Sequence, residues 1–312
     1  MKKYKLINNV SGWAVFVVAA IVYLLTIESS ASFWDCGEFI SAAYKLEVGH
    51  PPGAPIFMLV ANLFTQLTND PGKVAVMVNG MSAILSALTI LFLFWTITHL
   101  TRKLIIGEKD EQLNIGQIIA IIGSGLVGSL IYTFSDTFWF SAVEGEVYAF
   151  SSMLTALVFW LILKWEDNAD KSDSDKWIVL IAYIMGLSIG VHLLNLLAIP
   201  AIVMVYFYKK YSNPTWKSGL IALLLSFGLI AILMFGVIPG FTKVGGWFEL
   251  FFVNTLGMSY NTGVAVYLIL LVGSLLWAVL ESISEKGNIK RARITFMSSI
   301  ALSGILFISS SI

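Results

Sequence analysis

Asp35 and Glu38 stand three residues apart, a spacing that puts both carboxylates on one face if the segment is helical. A carboxylate beside a membrane surface can take the proton of a hydroxyl acceptor when pKa and geometry suit. The same pair can instead start a helix, with Asp35 as N-cap and Glu38 completing an arrangement like a capping box. At the level of sequence both uses stay open. His50 precedes Pro51, Pro52 and Gly53, which make a rigid turn because neither proline continues a helix. It could donate a hydrogen bond to a phosphate or sugar oxygen, or simply hold that turn. Glu144 and Glu146 flank Gly145, with Tyr148 following, and read either as solvated loop acids or as binding groups. His192 and Asn195 lie where two apolar runs meet, so they seal helix ends or line a cavity. Cys36 has no basic neighbour to depress its pKa and reads as structural. No spacing among these residues matches a known metal-ligand motif. No metal site is therefore assigned, although their chemistry is compatible with a divalent ion.

The elements that must position these groups are membrane helices. Of the 312 residues, 58% are hydrophobic and 12% charged, against about 25% charged in soluble domains. The fold class is therefore all-α, a polytopic transmembrane helix bundle. Charges balance at 19 basic and 19 acidic, and no basic patch with interleaved aromatics suggests nucleic acid. A single cysteine excludes an internal disulfide framework.

Residues 1–27 hold the first span, Ser11–Ile27, read as an uncleaved helix although Ser30-Ala31-Ser32 has the small residues of a cleavage site. Residues 28–72 form an outer loop with two surface helices. Asp35–Leu46 is amphipathic, with Phe39, Ala42, Ala43 and Leu46 on its apolar stripe. Ala54–Leu67 is apolar but short for a span. The remaining spans occupy residues 73–312: Val74–Leu100, Ile115–Phe134, Val147–Leu163, two short ones dividing Trp177–Tyr208 at Gly190-Val191-His192, Ser218–Ile238, Val264–Leu280 and Ile294–Ile312, about nine in all. Ser135–Glu146, Lys164–Lys176 and Pro239–Gly263 are expected as loops, the second a solvated inner face. With the N-terminus inside, Lys45, Lys73 and Lys243 alone of the 19 basic residues fall outside. Asp35, Glu38, His50, Asp136, Glu144, Glu146, His192 and Glu249 then share the outer face. The chain stops in an apolar run at Ile312, and a C-terminal remainder is expected beyond it. No internal repeat supports an inverted-repeat transporter.

Trp34-Asp35-Cys36-Gly37-Glu38, Gly49-His50-Pro51-Pro52-Gly53-Ala54-Pro55, Val143-Glu144-Gly145-Glu146-Val147-Tyr148 and Gly190-Val191-His192-Leu193-Leu194-Asn195 together resemble the membrane family called domain of unknown function 2723. That family is common in Bacteroidota, has animal members, and belongs with the GT-C glycosyltransferases; its animal branch transfers mannose to protein hydroxyls. The resemblance implies an N-terminal GT-C-like domain over residues 1–312. It further implies an inverting glycosyltransferase that moves a sugar, mannose first, from a polyprenyl-phosphate donor to a Ser or Thr hydroxyl of exported protein. Asp35 would be the catalytic base, with Glu38 supporting it or exchanging roles. His50, Lys45, Glu144, Glu146, Tyr148, His192 and Asn195 would bind substrate. The expected partners are the lipid-linked donor, a protein or glycan acceptor and membrane lipids, and the expected place is the bacterial inner membrane, with the N-terminus cytoplasmic and the site periplasmic. Few cations face the leaving phosphate on that side, so a metal ion or residues beyond Ile312 would have to supply charge. Transfer to a glycan or lipid acceptor is the alternative within this class. A secondary transporter and a non-catalytic scaffold are the alternatives outside it.

Overall fold

The computed structural model describes residues 2–51, 53–107, 113–171 and 174–283. The fold is all-helical, and among the described residues six helical stretches are long and apolar enough to cross a membrane. The protein is thus a multi-pass membrane protein. The expected span Ile294–Ile312 lies outside the described residues.

In chain order the helices are α1 (Lys2–Leu25), α2 (Cys36–Lys45), α3 (Pro55–Thr65), α4 (Val74–Ile106), α5 (Ile115–Thr133), α6 (Asp136–Ala142), α7 (Val147–Asn168), α8 (Asp175–Ile189), α9 (Ile199–Lys210), α10 (Trp216–Ala231), α11 (Ile238–Leu250) and α12 (Thr262–Ile283). A 3-10 turn over Leu193–Ala198 leads into α9. The central member is α4, packed on α1, α5 and α7. One buried cluster joins α2 and α3 to α4, α7, α8 and α9, and a second joins α1, α4, α5 and α6.

The surface helices follow the expected boundaries closely. Phe39, Ala42 and Ala43 are buried on one stripe of α2, as its amphipathic spacing requires. Left-handed backbone at Trp34, Leu46 and Ala54 turns the chain sharply around α2 and into α3. Such a conformation costs a bulky residue on the order of 1–2 kcal/mol, so the surrounding contacts must hold it. The Ile56 N–H donates to the Gly190 carbonyl at 2.8 Å. A Cβ on Gly190 would lie 2.6 Å from the Ile56 side chain, so glycine is what lets α3 dock on the end of α8.

Three expected loops prove helical in part. Residues 136–142 form α6, whose Trp139 Nε1 donates to Thr26 Oγ1. The supposed inner loop after Leu163 begins as the last turns of α7. There Lys103 meets Glu166 at 2.6 Å, His99 meets Asp167 at 3.6 Å and Lys209 meets Asp170 at 3.1 Å. Residues 239–250 continue the helix instead of leaving it, because π turns over Ile232–Val237 and Phe251–Thr255 flank α11. A widened turn ahead of Pro239 accommodates a residue that has no N–H to give the ladder. Glu249, expected in a loop, accepts from the Asn261 and Val264 backbone N–H groups and caps α12.

Candidate active site

Asp35 directly precedes α2, but its side chain makes no capping bond. Glu38 does not turn back to complete a capping box either. Its carboxylate accepts from the His50 backbone N–H and sits 3.1 Å from His50 Nδ1. Those two bonds, backbone first, hold the Glu38 carboxyl below the usual range. With Nδ1 committed to Glu38, His50 Nε2 faces Asp35 Oδ2 at 3.9 Å. The turn that the Gly53 N–H closes on the His50 carbonyl at 2.8 Å therefore delivers an imidazole between two carboxylates. Phe39 packs against its ring at 5.7 Å between centroids.

Behind this exposed trio lies a buried pair. Glu144 and Glu146 are each only 4% exposed. Burial pushes the Glu146 carboxyl up to about 7, Glu144 and Asp35 raise it further, and the backbone N–H groups of Val147 and Asp35 oppose the rise. Burial raises Glu144 too, against hydrogen bonds from Ser32 and Cys36. The fully buried Cys36 thiol donates to Glu144 Oε2 at 3.6 Å. Burial and the two glutamates push that thiol upward, so Cys36 is a support for Glu144 and not a nucleophile.

What holds the acids in place is a set of polar residues that periodicity does not single out. Asn79 Nδ2 donates to the carbonyls of Glu28 at 2.8 Å and Ser30 at 3.1 Å, tying the loop to α4. Asn62 Nδ2 donates to the Ala43 carbonyl and ties α3 to α2. A Cβ at position 145 would lie 2.9 Å from Asn79 Oδ1 and 3.0 Å from Ile40. Only glycine between the two glutamates lets their turn press on α4. An Asn inside an otherwise apolar span is the sequence clue to Asn79.

Asp35, His50, Glu146, Tyr148 and His192 converge on a cleft of about 80 Å3. His192 Nδ1 accepts from the Leu194 N–H at 3.1 Å, so a neutral ring carries its proton on Nε2. Burial lowers the His192 pKa and favours that neutral form. No lysine or arginine lines the cleft among the described residues. The Tyr148 ring lies tilted against His192, 5.4 Å between centroids, and also lines a second, larger space. That space, about 800 Å3, is an apolar groove with Leu93, Ile131, Phe159, Leu197 and Ala201 on its walls.

Two expected site residues stand elsewhere. Lys45 is in the last turn of α2 and does not line the cleft. Asn195 is fully buried and accepts from Thr155 Oγ1 at 3.0 Å, beside the groove instead of the cleft. Asp35, Glu38 and His50 could each offer one ligand atom to a metal ion, all within 4.8 Å of one another. Two carboxylates and an imidazole suit a divalent ion of intermediate softness. In the structure, however, Glu38 and His50 already satisfy each other.

The fold and site define a class: a multi-pass membrane protein with an acidic cleft that no described lysine or arginine lines, joined through Tyr148 to an apolar groove between spans. The sequence profile of the Protein O-mannosyl-transferase TMEM260 N-terminal domain matches residues 35–215, a stretch that contains every residue lining the cleft. The chain belongs to this family. Protein O-mannosyl-transferase TMEM260 of Mus musculus is 29% identical over 177 residues, which are 56% of this chain and 22% of the mouse protein. Its counterpart in Dictyostelium discoideum is 25% identical over 148 residues, 47% of this chain and 16% of that protein. The matched stretch thus spans about a fifth of the length of these curated relatives. No solved structure matches the chain.

Proposed function

We propose that the chain carries the donor and catalytic half of an inverting mannosyltransferase, using a polyprenyl-phosphate sugar and a protein Ser or Thr hydroxyl. The observation that carries this reading is Asp35: it stands at the head of a helix without capping it, and its side chain opens into the cleft. The polyprenyl tail would lie in the groove and its phosphate beside Tyr148, the residue common to groove and cleft. Asp35 takes the proton of the acceptor hydroxyl, whose oxygen bonds to the anomeric carbon. The bond from that carbon to the phosphate oxygen breaks, and its electron pair leaves with polyprenyl phosphate. Glu38 orients His50, while His192 Nε2–H and the Tyr148 hydroxyl are placed to donate to the phosphate. Donors that strengthen as charge develops on a leaving group lower the barrier.

Orientation follows from charge. Among the described residues, most lysines and arginines lie in segments at the end opposite the cleft, which argues for a cytoplasmic N-terminus and a cleft on the far face. On this reading that face is the periplasmic side of a bacterial inner membrane. The relatives' names support mannose and protein as substrates; a glycan or lipid acceptor is the alternative.

The test is transfer from radiolabelled polyprenyl-phosphate mannose to a protein extract in nanodiscs. Asp35→Asn is expected to lose about 10²–10⁴-fold of the rate while keeping its thermal midpoint. Wild-type transfer to glycan or lipid alone would change the acceptor. Full activity of Asp35→Asn would remove Asp35 as base and leave Glu38 or Glu144. A divalent ion on Asp35, Glu38 and His50 is the second reading. Because the Glu38–His50 bonds occupy that set, activity is expected to survive chelation; loss that added Mn2+ restores would assign the ion instead.

A further inference from the structure

A second apolar groove, of about 410 Å3, runs between α1 and α5 and shares no lining residue with the cleft. On α5 its wall is one helical stripe, Ile115, Ile118, Ile119, Ile122, Gly123 and Leu126, and on α1 it is Lys3 and Ile7. The stripe covers about 16 Å of helix at about 1.5 Å per residue. Both helices are membrane spans by length and hydropathy, so what lies against the groove is hydrocarbon and not water. Ile115 and Ile119 are 72% and 66% exposed, an apolar edge that no described residue covers.

Charge then selects the headgroup. Lys3 stands at one end of the groove, beside the N-terminus of α5. There the Asn114–Gln117 capping box satisfies the N–H groups of those two residues. The N–H groups of Ile115 and Gly116 belong to the first turn and have no intrahelical acceptor. An ammonium and two backbone donors at the positive end of a helix dipole match a phosphate. Acyl chains moving from lipid into the groove exchange one apolar medium for another. Their contribution is fit, and discrimination between lipids falls to the headgroup.

We infer that the α1–α5 groove is a binding site for one anionic phospholipid, its chain along the isoleucine stripe and its phosphate between Lys3 and the N-terminus of α5. This site is independent of the transfer reaction and of the donor groove.

The experiment reconstitutes the full chain in nanodiscs of mixed phosphatidylcholine and phosphatidylglycerol, then releases it gently into detergent and weighs retained lipid by native mass spectrometry. Wild type is expected to retain phosphatidylglycerol well above its share of the bilayer. Lys3→Gln should cut that preference about fivefold, the worth of one lysine at a membrane surface. Gly123→Leu should abolish retention of either lipid by filling the groove. A Cβ at Gly123 meets nothing within 4 Å, so the variant is expected to keep the wild-type thermal midpoint, and Lys3→Gln tests the same site without touching packing. Retention of both lipids in bulk proportion by wild type would overturn the inference. So would undiminished phosphatidylglycerol on both variants.

Discussion

At one end of the α4–α7 pair, Glu166, Asp167 and Asp170 each face a basic side chain. At the other, Asp35, Glu38, Glu144 and Glu146 face one another and two histidines. Between Asn79 and Lys103, one in each region, lie about 36 Å of the same helix at about 1.5 Å per residue. The paired end is a clasp: opposite charges close the ends of α4, α7 and α9 and leave little charge to act on anything else. The cleft end keeps like charges close together. Burial first, and the neighbouring carboxylates of Glu144 and Asp35 after it, raise Glu146, and the arrangement persists because Asn79, Cys36 and the Gly145 turn hold it. Charge left uncompensated beside a cleft is available for chemistry; charge compensated within the fold is not.

The largest test of this contrast exchanges one carboxylate for its amide at each end. Glu38→Gln releases His50 and is expected to lower mannose transfer by at least about 10²-fold. Glu166→Gln at the paired end should leave transfer unchanged, and equal losses would erase the distinction. The contrast sharpens with pH. Glu146 is raised from its usual 4.5 to about 7 in the folded protein, so the folded state holds its proton more tightly. The resulting stability is fully present below about pH 4.5 and is lost as pH rises through about 7. At about 1.4 kcal/mol per unit, the loss is on the order of 3–4 kcal/mol. The unfolding midpoint should fall between pH 5 and pH 8 in wild type and flatten in Glu146→Gln; an unchanged slope would show that another group titrates.

Smaller effects separate the two kinds of tether. Asn79→Ala removes two part-buried hydrogen bonds and leaves two carbonyls without that donor, at a cost of about 1–3 kcal/mol. Lys103→Met breaks a part-exposed pair worth about 1 kcal/mol or less. Thermal midpoints should rank the two in that order, and Asn79→Ala alone should also slow transfer.

Much of the fold was legible along the chain. Helix periodicity located α2 and α3 within a residue or two, and the break at Gly190-Val191-His192 was correctly read as a division between helices. Hydropathy located the spans because a buried or lipid-facing helix must be apolar over its whole length. Where a helix continued past its apolar part, the reading failed. The end of α7 is charged, and only its partners on α4 and α9 show that it is ordered. Pro239 and the nearby glycines read as a loop, yet π turns carry the helix through them.

The residue types of the site were set by sequence alone: two carboxylates at helical spacing, a His-Pro-Pro-Gly turn, and a Glu-Gly-Glu pair. Their assignments were not. Whether Asp35 caps or opens into a cleft depends on where Glu38 points, and that depends on His50, twelve residues away, being brought back by the turn. Lys45 looks as eligible as His50 in sequence but stands at the far end of α2. Hydropathy and short-range spacing depend on neighbours along the chain, so sequence determined the helices and the inventory of acids. Proton affinity and reach depend on neighbours in space. Tertiary structure alone therefore decided which acids are buried, which are paired, and which share a cleft with the groove beside them.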